Sequence, residues 1–316
     1  MCGLFGFSNY SNKPIKDLSA LTNSLAIQSA SRGTDATGIA FCRSRYIHII
    51  KDAKEASKIE FKHPDDIKAL IGHTRHSTQG SEKKNCNNHP FFGRANHTIK
   101  FALAHNGVLF NDDTLRETLH LPKTKVETDS YIAVQLLEHK RQLDAESLKF
   151  MAEQVDGSFS FSILDNNENL YLVKGDSPLS IVHFPKIKLY VYASTDEILY
   201  KALINTPLLS ELKNKEYEEV NLKEGEILKI SPDGNTEKTD FIYSRSYGKN
   251  WWEYGMPYHY PITQISDKAV RDLYVEELKY VAMYEGIEPR QIDELLEAGM
   301  TIEEVEEYVY AYEGYY

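Results

Sequence analysis

A cysteine stands directly behind the initiator methionine in the opening stretch MCGLFGF, and Cys2 is the residue with the most chemistry to offer. Aminopeptidases remove an initiator methionine when the next residue is small, as cysteine is. The mature chain then begins with a thiol and a free α-amino group on one residue. Such an amine titrates near about pH 8, so at neutral pH part of it is a base that can take the thiol proton, directly or through a water. Nucleophile and general base share one residue. Taken alone, a cysteine that opens a strand is more often a small buried hydrophobe, because a reactive thiol needs a special environment.

Other residues supply what a thiol nucleophile lacks. Attack on an amide builds negative charge on oxygen, which needs hydrogen-bond donors. Ala104-His105-Asn106-Gly107, directly after a strand candidate, offers the Asn106 side-chain amide and the Gly107 backbone N–H. The plain alternative is an Asn-Gly turn between strands. An α-amino acid substrate also needs its two charges held. Arg75 lies in the glycine-bounded stretch GHTRHSTQG (Gly72 to Gly80), and a guanidinium grips a carboxylate through two parallel hydrogen bonds. Asp129, in ETDS at a helix start, can accept from an ammonium. The alternatives are a surface salt bridge for Arg75 and a helix N-terminal charge for Asp129.

The elements that must position these groups are legible as periodicity. Cys2 to Ser8, Gly38 to Arg43, Arg45 to Ile50, Leu70 to His73, Lys100 to Ala104, Ser158 to Leu164, Leu170 to Lys174, Leu189 to Ser194 and Glu226 to Ile230 read as strands. Asp17 to Ser29, Thr128 to Glu138, Asp144 to Gln154 and Thr195 to Leu203 read as helices. Tight turns such as Asp165-Asn166-Asn167 join the strands, which points to antiparallel sheets with helices on their outer faces, an α+β layered domain.

Composition changes near Asp240. Ser244 to Pro261 holds both tryptophans, several tyrosines and two prolines, and reads as an extended linker spanning 241–266. Residues 267–316 read as an acidic helical tail. Ile287-Glu288-Pro289 opens one helix, Gly299-Met300-Thr301 separates it from the next, and Thr301-Ile302-Glu303-Glu304 has the form of a capping box. Leu295, Leu296, Ile302, Val305, Tyr308 and Val309 are its candidate core. Tyr274, Tyr280, Tyr284, Tyr308, Tyr310 and Tyr312 either cover that core or form a docking face.

The bulk numbers exclude several classes. A net charge of -11 argues against nucleic acid and anionic membranes as partners. Three cysteines, Cys2, Cys42 and Cys86, make neither a disulfide framework nor a CxxC zinc pair, and they suit a reducing, cytoplasmic setting. The N-terminus lacks a signal peptide, and no apolar run is long enough to span a bilayer.

MCGLFGF, RGTDATGIA (Arg32 to Ala40), GHTRHSTQG, NHP (Asn88 to Pro90), AHNG, ETDS and VDGSFSF (Val155 to Phe161) occur in this order. Together they resemble the glutaminase domain of class II glutamine amidotransferases, and most closely the glutaminase half of glucosamine-6-phosphate synthase, over roughly residues 2–240. The resemblance implies an N-terminal-nucleophile (Ntn) hydrolase fold, an αββα sandwich of two antiparallel sheets, with the helical tail appended. It implies that Cys2 is nucleophile and base, and that Asn106 and Gly107 form the oxyanion hole. Arg75 and Thr78 would bind the glutamine carboxylate and Asp129 its ammonium. Arg32 and Asp35 would brace the loops around Cys2. The sequence departs from the sugar aminotransferases at two positions, with His76 where a Trp is usual and Gln79 where a His is usual. That Trp closes over glutamine and guides ammonia onward, so this form of coupling is not expected here. His76 reads as a loop histidine filling the Trp's place.

The implied chemistry is acyl transfer: Cys2 takes the γ-glutamyl group of L-glutamine, ammonia leaves, and water releases glutamate. It requires no metal and no organic cofactor. The residues after Asp240 are too few for an acceptor domain, so ammonia would pass to a separate synthase protein docked through the tail. The alternatives are a free-standing hydrolase of another γ-glutamyl amide and a non-catalytic glutamine-sensing or scaffolding module. A Cys86–His105 hydrolase is a weaker third, since the motif order gives that pair no role.

Overall fold

Strand β1 (Gly3–Asn9) is buried along its whole length, yet its side chains sort by parity. Leu4 joins one hydrophobic cluster, while Phe5 and Phe7 join another. The period of two in a strand requires this when both faces of a sheet are covered. The computed structural model describes residues 2–12, 15, 17–204, 206, 208, 214, 216–243, 275, 278–279, 282 and 287–311. Its contacts divide the chain into Met1–Tyr243 and Ser244–Tyr316.

In the first unit β1 lies inside a seven-stranded sheet. The other strands are β2 (Ala36–Arg43), β3 (Tyr46–Asp52), β4 (Ala69–Arg75), β9 (Ser180–Phe184), β10 (Leu189–Ala193) and β11 (Glu218–Glu219), in the order β11-β9-β10-β1-β4-β2-β3. A six-stranded sheet holds β5 (Phe91–Arg94), β6 (Lys100–Leu109), β7 (Gly157–Asp165), β8 (Leu170–Lys174), β12 (Glu226–Ile230) and β13 (Thr236–Asp240), in the order β13-β12-β8-β7-β6-β5. Every described pairing is antiparallel.

Leu4, Ala40, Ile71, Ala102, Ala104 and Leu172 pack between the two sheets. Helices α1 (Leu18–Ser29) and α5 (Asp196–Ile204) cover the outer face of the first sheet over Phe5, Phe7, Ile39 and Val191. Helices α3 (Tyr131–Lys140) and α4 (Ala145–Gln154) cover the second over Phe101, Leu103, Phe159 and Phe161. Asp144 caps α4 by accepting from the Ser147 N–H, with the Ser147 hydroxyl returning to the Asp144 N–H. The first unit is therefore an αββα sandwich of the α+β class, with a short helix, α2 (Asp112–Thr118), between β6 and α3.

One element differs from its sequence reading in a way that matters. The strand expected to end at Ala104 runs on to Leu109, so Asn106 and Gly107 lie within β6 rather than in a turn behind it. They are paired with Ser160 and Phe159 of β7. Gly107 has φ 137°, and a Cβ there would lie 1.9 Å from the Ser158 carbonyl oxygen. Across the ladder, Gly157 has φ 134° and faces the Val108 carbonyl in the same way. These two glycines, Gly107 opposite Phe159 and Gly157 opposite Leu109, let the strand pair distort locally without ending. Strands β5, β9, β11 and β13 and helix α2 have no counterpart in the sequence reading. β5 follows directly on Pro90, β9 lies between Pro178 and Pro185, and β13 (TEKTD) is a largely exposed edge strand without apolar alternation.

In the second unit, helices α6 (Pro289–Glu297) and α7 (Ile302–Ala311) are described. The Thr301 hydroxyl accepts from the Glu304 N–H, and the Glu304 carboxylate accepts from the Thr301 N–H, so the expected capping box is present. Leu278, Ala282, Ile287, Ile292, Val305 and Val309 form the core of the unit, with Leu295, Leu296 and Tyr308 packed against it. The Ser244–Pro261 stretch and Tyr274, Tyr280, Tyr284 and Tyr312 lie outside the described residues. No helix among the described residues is long and apolar enough to cross a membrane.

Candidate active site

Register brings the chemistry-bearing residues together. β1 and β4 run antiparallel with Gly3 opposite Thr74 and Leu4 opposite His73. Cys2 therefore emerges beside Arg75 and His76. Its half-buried sulfur accepts from the His76 N–H at 3.4 Å and lies 3.5 Å from the His76 carbonyl oxygen. β6 is held to the same end of the sandwich by His73, whose Nε2 bonds the His105 carbonyl oxygen at 2.9 Å. Asn106 is the next residue. Its side chain is buried, and neither Oδ1 nor Nδ2 has a hydrogen-bond partner among the described residues. Buried amides are nearly always paired, and one without a partner among the described residues has its donor free for a bound group.

Arg75 is buried and its guanidinium is largely engaged. Nη1 donates to Asn88 Oδ1 at 2.7 Å, and Nη2 donates to the Gln79 and Gly80 carbonyls at 2.7 Å each. Both edges of a guanidinium that can grip a carboxylate with two parallel bonds include Nη2. The two-pronged grip expected from sequence is thus occupied by the Arg75 loop itself, and the Gln79 and Gly80 carbonyls must yield before a carboxylate can take it. Thr78 is exposed in that loop. Gly80, at φ 74°, packs against Asn87 and Glu127.

Asp129 sits just before α3, which begins at Tyr131 rather than at Thr128. Its Oδ2 accepts from the Leu109 N–H at 2.6 Å, and its own N–H donates to Gln79 Oε1 at 3.0 Å. Gln79 thus joins the arginine loop to the Asp129 segment. Arg32 Nε donates to the Cys2 carbonyl at 2.8 Å, and Asp35 Oδ2 accepts from the Ser77 N–H at 2.7 Å. Both residues hold backbone on either side of the thiol. Sequence reasoning gave four residues of this network no such role: Asn88 and Ser130, which it did not single out, Gln79, which it noted only as a departure from the sugar aminotransferases, and His105, which it weighed only as a partner for Cys86. All four lay inside quoted motifs, but what they bond depends on how the loops and strands fold together.

Burial pushes the Cys2 thiol above its ordinary value. The amino-terminal charge, the His76 N–H and Arg75 pull it down, and Asp129 pushes it up. The thiol therefore lies within the fields of two cationic groups, the amino terminus and Arg75, and of one anion, Asp129.

Three buried histidines lie beneath the site. Desolvation lowers His73 to about 3, and lowers His89 and His105 as well. The His73 and His89 rings are 4.1 Å apart. Because the folded values lie below the unfolded one, the unfolded chain binds more protons as pH falls below about 6.5. The associated stability is fully present above that pH and is lost on acidification. Each histidine contributes a slope of roughly 1.4 kcal/mol per pH unit at most. Urea unfolding at pH 7, 6 and 5 should show a steep fall in stability. His89→Phe, at a residue whose ring nitrogens have no partner among the described residues, should remove about one histidine's share. A midpoint unchanged between pH 7 and 5 would contradict this.

Comparison with known proteins places this geometry. Residues 73–201 match a family described as "Glutamine amidotransferase domain". A glutamine–fructose-6-phosphate aminotransferase (isomerizing) of Chlamydia muridarum is 30% identical over 188 residues, 57% of this chain and 30% of that protein. An amidophosphoribosyltransferase of Methanocaldococcus jannaschii is 29% identical over 243 residues, 72% of this chain and 48% of that protein. A solved structure described as the allosteric regulatory enzyme of purine biosynthesis superposes with a TM-score of 0.60 at 20% identity, over 77% of this chain and 50% of that one. The glutamine phosphoribosylpyrophosphate amidotransferase of B. subtilis gives 0.57 at 21% identity, with the same coverage. This chain thus spans half or less of the length of these relatives. The sandwich shares the fold of these two solved structures, and its residues 73–201 resemble a glutamine amidotransferase domain.

Proposed function

We propose that this chain hydrolyses the side-chain amide of L-glutamine to glutamate and ammonia, with Cys2 as nucleophile once Met1 is removed. The observation that carries the reading is geometric: the β1–β4 register sets Cys2 beside Arg75 with its sulfur on the His76 N–H, while β6, held to the same end by His73, presents Asn106 and bonds Asp129 through Leu109. The freed α-amine of Cys2 takes the thiol proton, which a thiol raised by burial does not release unaided. The sulfur attacks the amide carbon. Asn106 Nδ2 and the Gly107 N–H receive the oxyanion. The amine returns its proton to the leaving nitrogen, and water then cleaves the thioester. Arg75 and Thr78 hold the carboxylate, Asp129 holds the ammonium, and Arg32 and Asp35 brace the segments around the thiol. No metal or cofactor enters these steps.

Ammonia then passes to a separate synthase protein, with the tail from Asp267 as the docking element. A substrate series tests the whole. Glutamate and ammonia release should be fastest with L-glutamine and fall at least about tenfold with a bulky γ-glutamyl anilide or with glutamine lacking its α-carboxylate. A preference for the anilide would instead make this a hydrolase of other γ-glutamyl amides.

A further inference from the structure

His105 is buried beside Asn106 and Asp129, and the steps above give it no role. Its ring stacks on Phe161 with centroids 4.7 Å apart. Nε2 lies 3.3 Å from the Ser158 carbonyl oxygen, and Nδ1 lies 2.8 Å from the Ser130 hydroxyl. That hydroxyl is also 3.2 Å from Asp129 Oδ1. These contacts suit one arrangement of protons. A carbonyl only accepts, so Nε2 carries the hydrogen. In a neutral ring Nδ1 is then an acceptor, and the shorter Ser130 contact supplies its proton. Ser130 has one proton to give. Once it is given to His105, Asp129 Oδ1 receives nothing from Ser130, while Oδ2 is held by the Leu109 N–H at 2.6 Å. One carboxylate oxygen is anchored and the other is left open.

We propose that His105 is a positioning residue that draws the Ser130 proton away from Asp129, keeping Oδ1 open for the ammonium group of the substrate. This rests on the assignment of Asp129 to the ammonium. Without an acceptor at Nδ1, the Ser130 hydroxyl turns to the carboxylate and forms a charge-assisted hydrogen bond that the substrate must displace. The other charged or titratable groups acting on His105 are Asp129 and Asp176, and His105 in turn acts on His73 and His89.

The test uses two variants of nearly equal shape. His105→Leu removes the acceptor, whereas His105→Asn places an amide oxygen about where Nδ1 stands. Both lose the Ser158 contact, so any packing defect is common to them. His105→Leu should raise KM for glutamine about tenfold, with kcat within about twofold. His105→Asn should stay within about threefold of the wild-type KM, and adding Ser130→Ala to His105→Leu should bring KM back to the Asn level. Leu and Asn variants with equal KM, or a double variant no better than His105→Leu, would overturn the proposal. Nitrogen-15 shifts of the His105 ring test the relay independently of turnover. Nε2 protonated with Nδ1 an acceptor is expected, and the opposite tautomer would overturn it. A wild-type chain that leaves glutamine intact would fail the functional reading instead, with the tautomer still deciding the relay.

Discussion

Asn106→Ala should lower kcat for glutamine hydrolysis by about 10²- to 10³-fold and leave KM within about threefold. The split follows from where charge develops. The ground-state amide of glutamine is neutral and gains little from the Asn106 amide, whereas the tetrahedral intermediate carries a full charge on oxygen. Asn106 suits the task because its donor is already buried and unpaired among the described residues, so no internal hydrogen bond has to break when the oxyanion forms. The same vacancy predicts the structural cost. An unpaired amide stabilises little, so the melting temperature of Asn106→Ala should match or exceed the wild type. Steady-state kinetics and a thermal melt on one preparation check both halves. A large rise in KM with kcat unchanged would assign Asn106 to substrate binding instead.

The larger effect belongs to Cys2. Cys2→Ala should reduce glutamine hydrolysis by about 10⁴-fold or more, to the level that binding and oxyanion donors sustain without a nucleophile. Glutamine should still bind the variant with an affinity close to the wild-type value, because Arg75 and Asp129 are untouched. Isothermal titration against Cys2→Ala therefore reads the binding site without turnover. Binding should be accompanied by reorganisation of the 76–80 loop, since the Gln79 and Gly80 carbonyls occupy both Nη2 protons of Arg75. Residual hydrolysis at more than about a hundredth of the wild-type rate would mean that another group attacks the amide.

Much of this was legible in the chain, and the reason is physical. The alternation in Gly157–Asp165 (GSFSFSILD) alone places Phe159, Phe161 and Ile163 on one face of β7, where they meet α3 and α4. The order of motifs then carried the resemblance to a family, which no single motif could. What was not legible depends on residues brought together from a distance. Nothing local in AHNG says that the strand continues through Gly107, because the reason lies fifty residues away, in Gly157 on the partner strand. The engagement of Arg75 by carbonyls of its own loop is likewise a matter of loop conformation. His105 read as part of the motif behind a strand and Ser130 as a residue of the Thr128–Glu138 helix, and they meet only when β6 lies against the start of α3. Short β9 and polar β13 were missed because an edge or proline-bounded strand carries too little periodicity to declare itself.

The central claim is an N-terminal cysteine beside a working glutamine pocket. Intact-protein mass, before and after exposure to a glutamine-like diazoketone, tests it most directly, with Cys2→Ala as the control. The account predicts a chain lacking Met1 that gains one adduct, and a Cys2→Ala chain that gains none. A chain that retains Met1, or one that takes up the label equally in the Cys2→Ala variant, would contradict it.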